Sequence, residues 1–254
     1  MKRFARFKIE DKEHYGIVEE KIYPLEGNIF CQYEVSSYGY NLDEVKLLPP
    51  CQPTKIILVG LNYHDHIKES SSASQAPEEP VIFMKPTSSL IATEEKIIYP
   101  PGVKRLDFEA ELAVVMKERC KDTSAEQAGN HIFGYTCLND ITARDLQTKD
   151  IQWTRAKSFD TFCPLGPFIS VGIDPSNLKI ESYLNGKVQQ SSNTNQMIFS
   201  VEEIVSFVSK VMTLLPGDVI STGTPSGVNS LIPEDTIEIR IEHIGILRNH
   251  IMPA

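Results

Sequence analysis

The chain has 254 residues, 41% hydrophobic and 23% charged, which is the balance of an ordinary folded protein with room for one large domain and a small appendage. Its net charge of -9 and pI of about 5.2 oppose association with a nucleic-acid backbone or an anionic membrane surface. The longest apolar run, Ile56 to Leu61, is far too short for a bilayer span, and the charged start Met1-Lys-Arg-Phe-Ala-Arg has no signal-peptide core, so a cytoplasmic location is expected.

Residues 1–50 read as a small β-rich domain. Phe4 to Ile9 and Tyr15 to Val18 flank a polar Glu-Asp-Lys-Glu turn and predict a hairpin. The proline-rich stretch Leu47 to Pro53 is a stiff boundary before a second domain over 51–254. Lys55 to Gly60 predicts a buried strand that leads into Leu61-Asn-Tyr-His-Asp-His-Ile-Lys-Glu69. Ser70 to Pro80 reads as a loop or lid, and Val81 to Pro86 as a strand stopped by proline.

An acidic strand is expected to run through Asp107-Phe-Glu-Ala-Glu111 to Met116. Thr123 has capping-box spacing to Glu126 and predicts a short helix. His131 to Leu138 predicts a strand, and Asn185-Gly186 a type I′ hairpin turn. Ser200 and Glu203 form a second capping box, opening a helix with Ile204, Val205, Val208, Val211, Met212 and Leu215 on its core stripe. Gly217 to Gly227 reads as a strand entering a Gly/Thr-rich turn, and Thr236 to Glu242 as a half-buried strand. The sum is a mostly β chain with few helices. The five cysteines lack Cys-x-x-Cys spacing and read as reduced, buried thiols.

On a strand, Glu109 and Glu111 project from one face. Two neighbouring carboxylates repel unless a cation sits between them, and oxygen-only ligation favours Mg²⁺, Mn²⁺ or Ca²⁺ over zinc. A bare Glu-x-Glu also describes a solvated strand face. His66 and Glu69 have i, i+3 spacing, which suits a carboxylate-oriented general base and equally a surface helix. His64 is the weaker candidate. Asp140 ends an apolar strand, where it reaches a crevice or simply starts a helix, and Arg144 and Gln147 follow at helical spacing. Lys157 sits among aromatic residues, either partly desolvated or snorkelling to the surface. Thr222 to Gly227 offers amides and hydroxyls for a carboxylate.

Taken in order, Gly60 to Glu69, Phe83-Met-Lys-Pro86, Asp107 to Leu112, Asn139 to Asp145, Trp153-Thr-x-Ala-Lys157 and Thr222-Gly-Thr-Pro-x-Gly227 resemble the fumarylacetoacetate hydrolase superfamily, over roughly residues 50–254. The nearest branch resembles acylpyruvate hydrolases, oxaloacetate decarboxylases or tautomerases, and hydroxyheptadienedioate isomerases. The resemblance implies a mixed β-sandwich roll and a homodimer. It implies Glu109, Glu111 and Asp140 as ligands of Mg²⁺ or Mn²⁺, and Lys157 as the lysine contacting substrate oxygen. His66 and Glu69 match the water-activating pair, while Tyr63, Arg144, Gln147 and Thr224 fall among the substrate-binding groups. Leu61 stands where many relatives have arginine.

The activity so implied is C–C hydrolysis of a 2-oxo acid with a second carbonyl, by way of its enolate. The alternatives are oxaloacetate decarboxylation, keto–enol tautomerisation and dioate isomerisation. A metal-dependent nuclease is disfavoured by the acidic surface. A silent metal-binding protein is the remaining alternative, which an intact His66, Glu69 and Lys157 oppose.

Overall fold

The computed structural model describes residues 1–65 and 76–254. His66, Glu69 and the first part of the loop expected from Ser70 lie outside the described residues. The architecture is mixed and mostly β, with few helices, as the alternating runs anticipate.

The hairpin near the N-terminus forms between strands Lys2–Ile9 and Lys12–Val18. Its turn is confined to Glu10 and Asp11, both at positive φ, so Lys12 and Glu13 pair within the ladder rather than turning. Strand Lys2–Ile9 also pairs with Cys163–Val171, which makes the first fifty residues one flank of a twelve-stranded sheet. Going inward from Cys163–Val171, that sheet continues through Ile132–Asn139, Ala110–Met116, Val219–Ser221, Ile56–Gly60 and Val81–Lys85. A five-stranded sheet packs against it, in the order Lys187–Asn193, Lys179–Leu184, Thr236–Ile241, Gly245–Pro253 and Lys96–Tyr99.

Side chains from both sheets share one core. Leu112, Val114 and Cys137 of the large sheet meet Ile180, Ile239 and Ile251 of the small one, all fully buried. Each such aliphatic side chain contributes about 1.5–3 kcal/mol relative to exposure. Helix Val201–Val211 closes this core with Ile204, Val205 and Val208. The capping box at Ser200 forms as expected, but the helix ends at Val211, before the Pro216-Gly217 stop. Val211 is therefore 55% exposed and Leu215, beyond the last turn, is 36% exposed, so neither belongs to the core stripe. The short helix Ala125–Ala128 is preceded by Ser124 rather than Thr123 at its N-cap. The Asn185-Gly186 turn has both residues at positive φ, as a type I′ turn requires. Of the cysteines, Cys51, Cys120, Cys137 and Cys163 are buried but Cys31 is exposed, which corrects the expectation that all five are buried.

Strand direction gathers one group of termini. Ala110–Met116 runs antiparallel to Ile132–Asn139 and to Val219–Ser221, and Val219–Ser221 runs parallel to Ile56–Gly60. The start of the first strand thus lies beside the ends of the other three. Glu109–Glu111, Asp140, Thr222–Thr224 and Gly60-Leu61 all emerge on that one side of the sheet.

Candidate metal centre and substrate pocket

Glu109 occupies the break between two strands. Leu106–Phe108 belongs to a separate three-stranded sheet, and Ala110–Met116 to the large one, so the chain changes sheets at Glu109. The junction is tied on both sides: the Asp140 amide donates to the Glu109 carbonyl at 2.9 Å, and the Glu109 amide donates to Asn139 Oδ1 at 3.0 Å. These bonds bring the carboxylates together. One oxygen from each of Glu109, Glu111 and Asp140 lies within 4.8 Å of the others, and all three residues are buried.

The three are not equally compensated. Asp140 pairs with Lys157 Nζ at 2.5 Å and Lys85 Nζ at 2.7 Å, with all three side chains sequestered. Glu109 pairs with Lys157 Nζ at 2.9 Å and with Arg144. Glu111 has no ammonium or guanidinium partner among the described residues. Its Oε2 accepts from the Ser221 hydroxyl at 2.5 Å and the Gly223 amide at 3.1 Å. Burial, then the neighbouring Asp140 and Glu109 charges, push the Glu111 carboxyl well above the ordinary carboxylate range, and Ser221 and Lys157 only partly offset this. A buried carboxylate lacking a cation, within an all-oxygen cluster, fits a hard divalent ion.

Lys157 is buried, not snorkelling. Burial alone would lower its pKa, but the adjacent Asp140 and Glu109 charges overcome that and hold the ammonium above its usual range. Its Nζ also lies 5.0 Å from the Phe83 ring centroid. Arg144, at the start of helix Arg144–Lys149, spans three partners: Asp107 Oδ2 at 2.8 Å, Gln147 Oε1 at 2.5 Å, and Glu109. Asp140 precedes that helix and does not serve as its N-terminal carboxylate.

Together these groups line one pocket. Glu109, Glu111, Asp140, Arg144, Gln147, Lys157 and Thr224 make its polar side, while Val59, Leu61, Phe83 and Trp153 make an apolar wall. Gly60 permits that wall, because a Cβ there would meet the Trp153 ring at 3.0 Å. Leu61 holds positive φ, a conformation that costs about 1 kcal/mol for a residue with a Cβ and marks a constrained corner. Of the expected substrate-binding groups, Tyr63 is not brought to this wall. Its side chain is fully buried, and its hydroxyl has no hydrogen-bond partner among the described residues. The expected anion nest at Thr222 to Gly227 uses the Gly223 amide for the chain's own Glu111.

Several contributors carry no sequence signal strong enough to single them out. Lys85 and Asp107 lie inside recognisable motifs, yet Lys85 donates to carbonyls 56 to 77 residues away and Asp107 accepts from Arg144, 37 residues away. Asn62 bonds the Thr222 carbonyl at 2.8 Å and both backbone groups of Phe199, which anchors the turn beside Glu111. Gln190 is wholly buried opposite Ser182 in the second sheet.

The sequence model described as fumarylacetoacetate (FAA) hydrolase C-terminal matches residues 55–252, and one described as Rv2993c-like, N-terminal matches residues 2–50. The chain belongs to the fumarylacetoacetate hydrolase superfamily. It is 56% identical over 211 residues to an uncharacterised protein of Methanocaldococcus jannaschii, covering 83% of this chain and 86% of that one. It is 43% identical over 219 residues to a mitochondrial oxaloacetate tautomerase of Bos taurus, covering 81% and 69%. The crystal structure of a 2-hydroxyhepta-2,4-diene-1,7-dioate isomerase from Mycobacterium marinum superposes with a TM-score of 0.92 at 38% identity, covering 100% of this chain and 99% of that one. No helix among the described residues is long and apolar enough to cross a membrane.

Proposed function

We propose that this family member is a divalent-metal-dependent keto–enol tautomerase or isomerase of 2-oxo acids. The carrying observation is Lys157, buried with its Nζ against Glu109 and Asp140 inside the three-carboxylate cluster. Magnesium or manganese held by Glu109, Glu111 and Asp140 would supply Lewis-acid charge to the substrate's oxygens. Lys157 would donate a hydrogen bond to the substrate oxygen that carries the enolate charge. Thr224 and Arg144 orient the acid, and the wall of Leu61, Phe83 and Trp153 keeps water from the reacting face. A homodimeric assembly belongs to the same proposal.

C–C hydrolysis, the leading expectation from sequence, gives way here to its alternative. A tautomerase at 43% identity and an isomerase structure at TM-score 0.92 both favour proton transfer. The test compares three reactions at equal enzyme with Mg²⁺, Mn²⁺ or EDTA: ketonisation of enol-oxaloacetate, decarboxylation of oxaloacetate and cleavage of acetylpyruvate. Metal-dependent ketonisation should be the fastest. Faster cleavage of acetylpyruvate would restore hydrolysis, and no turnover of any substrate would leave a metal-binding protein.

A further inference from the structure

We infer that Gln190 is a positioning residue that holds Thr224 as its hydrogen-bond acceptor, so that this hydroxyl presents its hydrogen to a substrate oxygen. The inference deepens the 2-oxo acid reading and rests on it. Gln190 sits on strand Lys187–Asn193 of the second sheet, with no solvent exposure, and bridges two separate pieces of the site. Its Oε1 accepts from the Ala110 amide at 3.0 Å, the peptide between Glu109 and Glu111. Its Nε2 donates to Thr224 Oγ1 at 2.8 Å and to the Pro225 carbonyl at 2.8 Å.

Two of those partners leave no choice about the amide. A backbone N–H can only donate and a carbonyl can only accept, so the oxygen faces Ala110 and the nitrogen faces Pro225 and Thr224. A flip would place donor against donor and acceptor against acceptor within a buried site. Thr224 Oγ1 must therefore accept from Gln190. Among the described residues nothing accepts the Thr224 hydrogen, and Thr224 lines the pocket beside Glu111. With Gln190 Nε2 on one lone pair, the Thr224 hydroxyl keeps its hydrogen directed away from Gln190 and available to an anionic or carbonyl oxygen. The Gln190 main chain is held as well, its amide donating to Ser182 Oγ at 3.0 Å.

Gln190→Glu separates the two halves of the clamp, because a carboxylate can still accept from Ala110 but cannot donate to Thr224. In the full-length Mn²⁺-loaded protein, KM for the enol of oxaloacetate should rise about tenfold. kcat should change less than threefold, and Mn²⁺ affinity, read by electron paramagnetic resonance, less than twofold. Oxalate binding, read by calorimetry without turnover, should weaken in parallel with KM. Thr224→Ala should show the same KM defect, and combining it with Gln190→Glu should add nothing, because Gln190 acts through Thr224. Gln190→Met, similar in volume and unable to donate, carries the same readout should the first variant not fold. Wild-type KM and oxalate affinity in both Gln190 variants overturn the inference, as does a double variant clearly worse than Thr224→Ala. Absence of turnover by the wild-type protein overturns the functional proposal instead, and the oxalate arm still reads the role of Gln190.

Discussion

Lys85 Nζ lies 2.7 Å from Asp140 Oδ1, with neither side chain exposed to solvent. The same ammonium donates to the carbonyls of Ile141, Lys157 and Phe162 at 2.7–2.9 Å. One cation thus fixes a carboxylate of the three-acid cluster and the backbone carrying the pocket's other lysine. Burial drags its pKa down, opposed chiefly by the Asp140 charge.

Lys85→Met should therefore strip a buried carboxylate and three carbonyls of their donor, at a cost of about 3–5 kcal/mol. Urea unfolding of the metal-free protein measures this directly. Adding Asp140→Asn should restore part of the stability while leaving metal affinity poor, because a buried charge that has lost one of its two lysines is gone, but so is the third carboxylate of the cluster. An unfolding midpoint unmoved by Lys85→Met would show that the ion pair contributes nothing to the folded state.

Glu109 joins the two lysine- and arginine-bearing elements to the metal cluster. Glu109→Ala should lower metal-dependent turnover of every substrate by at least about a hundredfold, with a matching loss of Mn²⁺ affinity. EDTA should inactivate the wild-type protein, and added Mg²⁺ or Mn²⁺ should restore it. Turnover retained after either treatment would refute the assignment of the cluster to a cation.

Glu111 gives the site a pH dependence with a definite sign. Its carboxyl is raised in the folded state, so the metal-free fold binds a proton that the unfolded chain releases at about pH 4–5. The contribution is intact below the unfolded value. It is lost as pH rises towards the raised folded value, so metal-free stability should fall across that window. A divalent ion requires the carboxylate, so binding expels the proton and affinity rises with pH through the same range. Mn²⁺ titrations carried out from pH 5 upward, in buffers of differing ionisation enthalpy, should reveal proton release. Equal heats in all buffers would contradict the raised pKa.

The sequence made part of this site legible for a physical reason. Glu109 and Glu111 share a short segment, although Glu109 lies at a break between strands and not on one continuous strand, and Asp140 follows an unmistakably apolar strand. The capping box at Ser200 and the Asn185-Gly186 turn are local devices and appear where expected. Groups that act across the fold were harder. The burial of Lys157 depends on Phe83, Glu109 and Asp140, none of them a sequence neighbour. Gln190 looks like one polar residue among several in Gln189-Gln-Ser-Ser192, and only its pairing opposite Ser182 turns it inward. The helix stripe was overextended because Pro216 marked a breaker, whereas the helix already ends at Val211.

Thiol accessibility offers a test of the packing that surrounds the site. Cys31 is exposed, whereas Cys51 and Cys163 are fully buried, with burial pushing each thiol up to about 12. Burial raises Cys120 and Cys137 as well. Because the thiolate is the reactive form, these four are shielded twice, by access and by protonation. A disulfide reagent at pH 8 should therefore titrate one thiol per native chain within minutes and all five of the sequence after denaturation. Cys31→Ser should abolish the fast phase. Cys163 follows Phe162, whose carbonyl accepts from Lys85, so its unmasking reports on the same buried lysine. Lys85→Met should accelerate modification of Cys163 before it affects Cys120, and equal acceleration of both would point to global unfolding instead of local release.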